Sequence, residues 1–378
     1  MEPFGRGGQA SRGQLLASLA SEPNQSRSDL VARLGLGPAT VSTQVRRLID
    51  MGILREGAAQ ILGSGRPRVP LEVVPDAGRV VGVGINPGQA TVATVGLDGA
   101  ALEVTTVEVS TNSPRELSRA LGRHVRRLVE QDAAADWWGL SVAISGVISA
   151  DATRVAISVV HGWRDLGLAS MLQADSGMDT FLVNDIGALA YRELFRTGAE
   201  NPADFMLVSL GYGVGMAVVR DHHILSGQKG ASTEIGHVSV DPLGPPCPCG
   251  NTGCLQVLVG LGDLMKSISR STGREAASAQ DLAELAAAAP RAGAIMDRAG
   301  YWLGRAVGGA CTMTGLSTVL LTGQSLPLWP ALQTSFQAGL GETSPTMAIP
   351  PALQVREWDA SAEAIGAASL MIARRVNL

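Results

Sequence analysis

Apolar residues recur at helical spacing through the first fifty positions, and beyond residue 79 they switch to short runs separated by helical stretches. Leu15, Leu16 and Leu19 open the first helical pattern, with Ser11 placed to cap it. After a polar break at 21–25, a short helix over 27–34 puts Leu30, Val31 and Leu34 on one face. Gly35-Leu36-Gly37 makes the turn, and Pro38 suits the first position of a helix over 39–51, where its missing N–H costs nothing. Val41, Val45, Leu48 and Ile49 form that helix's apolar stripe, leaving Ala39, Thr40, Thr43, Arg46 and Arg47 on the opposite side. Three short helices with a glycine turn before the third predict a helix-turn-helix, whose last helix enters the major groove of DNA.

Residues 53–56 and 68–74 can pair as the strands of a wing, with Gly63-Ser64-Gly65-Arg66-Pro67-Arg68 at its tip. Proline stiffens the pair Arg66 and Arg68 on an otherwise flexible loop, and an arginine so placed is drawn into narrow, A/T-rich minor grooves. Downstream, runs at 80–85, 90–97, 101–109, 138–144, 180–183 and 205–210 read as strands. Helical patterns lie at 114–131, 276–289, 292–304 and 360–375, and the alternation predicts an α/β body with mixed sheets. Pro70, Pro75 and Gly78 mark the junction, giving a head over residues 1–75 and a body over 76–378.

Charge sharpens this division. The net charge is −4, yet residues 1–75 hold nine arginines against six acids, and the remainder is acidic. A mildly basic segment on an acidic body suits an attached nucleic-acid-binding module. No apolar run approaches the length of a membrane span, and the start lacks the basic-then-apolar order of a signal peptide. With only four cysteines, a reducing cytoplasm is the expected compartment.

Three of those cysteines fall within eight residues, in Cys247-Pro248-Cys249-Gly250-Asn251-Thr252-Gly253-Cys254, and His237 lies ten positions upstream. One imidazole and three thiolates are the donor set of a closed, tetrahedral structural zinc site, so one zinc per chain is expected on His237, Cys247, Cys249 and Cys254. Cys311 stands alone in an apolar run and reads as a small core residue.

Glu234-x-Gly236-His237 followed by Cys-x-Cys-Gly-x-x-Gly-Cys-Leu resembles the zinc-binding signature of the ROK family of repressors and sugar kinases. The resemblance covers most of residues 79–378 and implies a two-lobed, actin-like and hexokinase-like domain with a sugar site in its cleft. The winged helix-turn-helix segment likewise resembles the N-terminal domains of ROK repressors. On this pattern Asn184 and Asp185 match the pair that grips the sugar, where family kinases use the carboxylate as general base. Glu234 and His237 match further sugar contacts, and Gln256 stands where the family usually has glutamate. The stretch His161-Gly162-Trp163-Arg164 is also similar to a sugar-binding loop.

The phosphate-handling positions depart from the pattern. Family kinases carry Asp-x-Gly-Gly-Thr after the first strand; here the segment is Gly84-Ile85-Asn86-Pro87-Gly88, without the carboxylate and with a proline that has no N–H for a phosphate. Met216-Ala217 and Gln324 replace glycines of two later phosphate loops. The resemblance therefore implies a non-enzymatic, sugar-sensing repressor that binds a double-stranded DNA operator as a homodimer or dimer of dimers. An ATP-dependent sugar kinase with an appended DNA-binding head is the alternative.

Overall fold

The computed structural model describes residues 12–60, 67–196, 202–225, 234–343 and 350–377. The chain divides into two units, Met1–Ala203 with Asp221–Ser232 and Ala360–Leu378, and Asp204–Arg220 with Thr233–Asp359. The expected cap Ser11 and the tip residue Arg66 lie outside the described residues.

The first unit opens with three helices, α1 (Arg12–Ser21), α2 (Arg27–Leu34) and α3 (Pro38–Asp50). Ser26 and Asp29 close a capping box on α2: Ser26 N–H donates to Asp29 Oδ2 at 2.7 Å and Asp29 N–H to Ser26 Oγ at 3.3 Å. Gly35, with φ 63°, ends α2 in the left-handed conformation that glycine adopts without strain. Strands β1 (Leu54–Glu56) and β2 (Leu71–Val73) pair antiparallel, and a bridge between Gln60 and Arg68 extends them. The helix-turn-helix and its wing form as the pattern predicts.

α1 departs from the simple amphipathic reading. Every residue from Gly13 to Ser21 is buried, the polar Gln14, Ser18 and Ser21 included. It packs on α3 and β2 and also on two helices of the body. Ser18 and Ser21 are satisfied locally, Ser21 Oγ donating to Ser18 O at 3.0 Å and Gln25 Nε2 donating to Ser18 O at 2.7 Å and Glu22 O at 2.8 Å, whereas Gln14 Nε2 reaches Asp221 O at 3.0 Å.

The body's sheet is built from β3 (Arg79–Asn86), β4 (Gln89–Gly96), β5 (Ala101–Glu108), β6 (Trp137–Ile144) and, beyond the small sheet β7 (Val147–Ile148), β8 (Val155–Ser158) and β9 (Trp163–Leu166), β10 (Thr180–Asn184). Its order is β10-β6-β3-β4-β5; β3 to β5 form an antiparallel meander, and β3, β6 and β10 run parallel. One face buries α4 (Pro114–Gln131) and α5 (Leu168–Ser176), with Leu117, Leu121, Val125 and Leu172 in one core with Val81, Val83, Leu140 and Val142. α6 (Asp185–Phe195) starts directly at the end of β10.

The second unit's sheet runs β12-β11-β13-β14, from β11 (Phe205–Leu210), β12 (Val214–Arg220), β13 (Thr318–Thr322) and β14 (Ala352–Val355). Helices α7 (Leu255–Val259), α8 (Leu261–Thr272), α9 (Ala279–Ala288), α10 (Pro290–Thr314) and α11 (Trp329–Thr343) accompany it. The pattern at 292–304 belongs to the longer α10, which runs on to a left-handed Gly315. Gly304 lets α11 approach closely, since a Cβ there would lie 2.0 Å from Phe336 O. Cys311 is buried in this core, as its surroundings imply.

The chain then closes on the first unit with α12 (Ala362–Arg375). It packs on β3, β6 and α6, and α1 packs on both α12 and α6. At Gly82 a Cβ would stand 1.9 Å from Ala364 O, so α12 lies against bare strand backbone. No helix among the described residues is long and apolar enough to cross a membrane.

Candidate functional site

The cysteine-rich loop is held by its own backbone. Cys247 N–H donates to Asn251 O at 2.8 Å and Gly250 N–H to Cys247 O at 2.9 Å, a turn that requires φ 98° at Gly250. Glu234 precedes the 3₁₀ turn Ile235–His237, and Cys254 precedes α7. These constraints bring the four donor atoms of His237, Cys247, Cys249 and Cys254 within 4.8 Å of one another. Cys249 Sγ lies 3.6 Å from Cys254 Sγ, and Cys247 Sγ lies 3.6 Å from His237 Nδ1.

A disulfide needs sulfurs about 2.05 Å apart, and all three thiols are free. Tetrahedral zinc, with bonds of about 2.3 Å to sulfur and 2.0–2.1 Å to nitrogen, spaces its ligands about 3.5–3.8 Å apart. The donor set and its spacing fit that ion. Without a cation, burial and the neighbouring thiols push Cys254 up to about 12, whereas a hydrogen bond from the Asn251 backbone leads in drawing Cys249 down to about 7. A cation is what would let the buried sulfur ionise. His237 turns Nδ1 to the sulfurs, which leaves Nε2 for another partner.

Gln256, in the first turn of α7, is engaged with backbone: Oε1 accepts from Val214 N–H at 2.9 Å and Nε2 donates to Tyr212 O at 2.9 Å. It ties the helix after the metal loop to the glycine-rich turn between β11 and β12. Glu234 is exposed, as is His237.

In the first unit, Asn184 caps α6, its Oδ1 accepting from Ile186 N–H at 3.0 Å and Gly187 N–H at 3.3 Å, while Nδ2 donates to Gly146 O at 2.8 Å. Asp185 is the first residue of α6, where the helix dipole favours its charge. Two polar residues that motif reading misses join them: Asn86 Nδ2 donates to Glu363 Oε2 at 3.2 Å. Burial, then the charge of Asp185, push the Glu363 carboxyl up to about 7 against the opposing Asn86 hydrogen bond. The available signal is compositional: Glu363 is a lone acid among the small residues that open α12. Trp163 sits in the core with Nε1 on Thr111 O at 3.1 Å, and His161 stacks on it at 4.8 Å.

On α3, Val41, Val45 and Leu48 are buried while Ala39, Thr43, Arg46 and Arg47 are exposed and Thr40 is half-buried. Arg12 lies near Arg47; burial, then that like charge, lower its guanidinium from the usual value. Arg68 is placed otherwise than a bare tip: its guanidinium holds Asp29 Oδ2 at 2.6 and 3.0 Å. Any groove contact by Arg68 has to exchange this carboxylate.

Comparison with known proteins agrees with this geometry. Residues 10–55 match the winged helix-turn-helix DNA-binding profile. The chain is 29% identical over 275 residues to the xylose repressor of Bacillus subtilis, covering 72% of this chain and 71% of that protein. It is 26% identical over 235 residues to the N-acetylglucosamine repressor of Escherichia coli, covering 62% and 58%. In fold it resembles the crystal structure of a ROK family transcriptional regulator, a homologue of the E. coli MLC protein, with a TM-score of 0.78, 22% identity and coverage of 97% and 96%. Residues 80–374 match the ROK profile, and with that match over most of its length the chain belongs to the ROK family.

Proposed function

We propose that this protein is a sugar-responsive DNA-binding transcriptional repressor, released from a pseudo-palindromic operator by a sugar or sugar derivative. The observation that carries the reading is α3: a buried stripe fixes the helix, and an exposed face of small, hydroxylated and basic residues is left for the groove. The names of the xylose and N-acetylglucosamine repressors support the same reading. Gly84 and Pro87, where family kinases carry a carboxylate and phosphate-binding glycines, favour sensing over phosphoryl transfer.

In this reading residues 1–75 form the reading head, with Ala39, Thr40, Thr43, Arg46 and Arg47 on the major groove and Arg66 and Arg68 at the wing. Asn184 and Asp185 are the sugar contacts of the first unit, and Glu234, His237 and Gln256 those of the second. His237, Cys247, Cys249 and Cys254 would hold one structural zinc per chain, closed because protein donors complete its tetrahedron. Two heads on a cytoplasmic homodimer, or a dimer of dimers, would match a two-fold operator. A sugar releases DNA by binding one conformation of the protein better than another, and α1, seated on α6 and α12, is the element that would carry the difference to the head.

Selection of operators from a randomised library tests the head. At one salt concentration, Arg47→Ala is expected to relax preference at individual base pairs, by about 1–3 kcal/mol for each lost base contact. A loss equal on every sequence would make Arg47 a phosphate anchor only. Asp185→Ala is expected to weaken sugar binding, measured by calorimetry, by about 1.5–3 kcal/mol, the loss typical of a charged hydrogen-bond acceptor. Sugar-free operator binding should stay at the wild-type level, while sugar-dependent ATP turnover by the wild type would favour the kinase reading.

A further inference from the structure

We infer that Glu363 is a specificity-determining residue for the effector, selecting neutral, unphosphorylated sugars over their phosphate esters. The inference rests on the reading above that Asp185 receives the sugar.

The parallel strands β3, β6 and β10 end level, with Ile85 opposite Ile144 and Ile144 opposite Asn184. Ligands of parallel α/β sheets sit outside such carboxyl ends. Asn86, Asn184 and Asp185 stand at this edge, and α12 brings Glu363 to it. A Cβ built on Gly84 would meet Glu363 Cβ at 3.1 Å and Oε2 at 3.3 Å. The carboxyl from α12 therefore takes the side-chain space that Gly84 leaves open, and Asn86 holds it at 3.2 Å. A strand end that lacks its own carboxylate receives one from an element 277 residues away.

Asp185 and Glu363 are close enough for the charge of one to raise the other. Carboxyls and amides so grouped offer many acceptors to sugar hydroxyls, whereas a phosphate beside them meets like charge in a partly buried place. The N-termini of α6 and α12 pull the other way, since each attracts anions with roughly half a charge. Each already carries an acidic residue in its first turn, Asp185 and Glu363, so repulsion wins once both are ionised, as at pH 8.

The test is calorimetry at pH 8 on the full chain, with D-xylose, D-glucose and N-acetylglucosamine, each against its own terminal phosphate ester. The wild type is expected to bind at least one free sugar tighter than its ester, by roughly tenfold or more. Glu363→Gln, isosteric and uncharged, is expected to narrow that ratio about tenfold. Glu363→Asp, which keeps the charge, should retain most of the preference and serves if the glutamine variant misfolds. A wild type that prefers the ester overturns the proposal and leaves the sugar-sensor reading standing. An unchanged ratio in a folded Glu363→Gln protein, or a lost preference in Glu363→Asp, overturns it too. Binding of none of the six compounds removes the proposal together with the sensor reading.

Discussion

Cys254→Ser protein, purified in the presence of zinc, is expected to hold less than about a tenth of the zinc found in the wild type, which should carry about one ion per chain. The reason is cumulative. Cys254 is fully buried, its sulfur is 3.6 Å from Cys249, and it stands at the start of α7. Losing it removes one donor from a closed set and leaves a buried hydroxyl facing two thiols. Structural zinc sites in small peptides contribute about 10–16 kcal/mol to folding; here the loss should be confined to residues 237–256 and the Gln256 contacts that follow. Elemental analysis and hydrogen exchange of that segment check it. Cys311→Ser, in the core of α10, should keep its zinc, and full occupancy in Cys254→Ser would sink the assignment.

Leu16→Ala is expected to destabilise the protein by about 2–5 kcal/mol in chemical denaturation, the range for truncating a fully buried leucine. Leu16 is 0% exposed, on a helix with no solvent face. Operator binding should also respond less to sugar, because α1 joins the helices that carry Asp185 and Glu363 to the reading head. Gln14→Ala offers a milder version, as Gln14 Nε2 donates to Asp221 O at 3.0 Å and meets His223 Nδ1 at 3.1 Å. Comparing operator affinity with and without a sugar that the wild type binds in calorimetry separates lost stability from lost coupling in both variants. A full response to sugar in a destabilised Leu16→Ala protein would remove α1 from the route.

Legibility in the sequence followed distance along the chain. The third helix was readable because the glycine turn, Pro38 and the apolar stripe act within a few residues of one another. The cluster of His237 with three cysteines was readable for the same reason, the cysteines lying in one loop that Gly250 and Gly253 allow. The burial of α1 was not, since Gln14, Ser18 and Ser21 look like a solvated face until α6 and α12 are folded over it. Glu363 was silent because its meaning depends on Asn86 and on the space above Gly84. The ion pair of Arg68 with Asp29 was hidden by their separation of 39 positions, so composition made both residues look free for DNA or solvent.

The seat of α1 also bears on how such a chain can exchange parts during evolution. A recombination event at the proline-rich junction near residue 75 would transfer a complete reading head, yet it would carry α1 away from the surfaces of α6 and α12 that cover it. Asn377, whose Oδ1 accepts from Gly13 N–H at 3.3 Å, is left behind as well, although it stands beside the helix's first turn. A new head must therefore arrive with a first helix that fits the surfaces of α6 and α12.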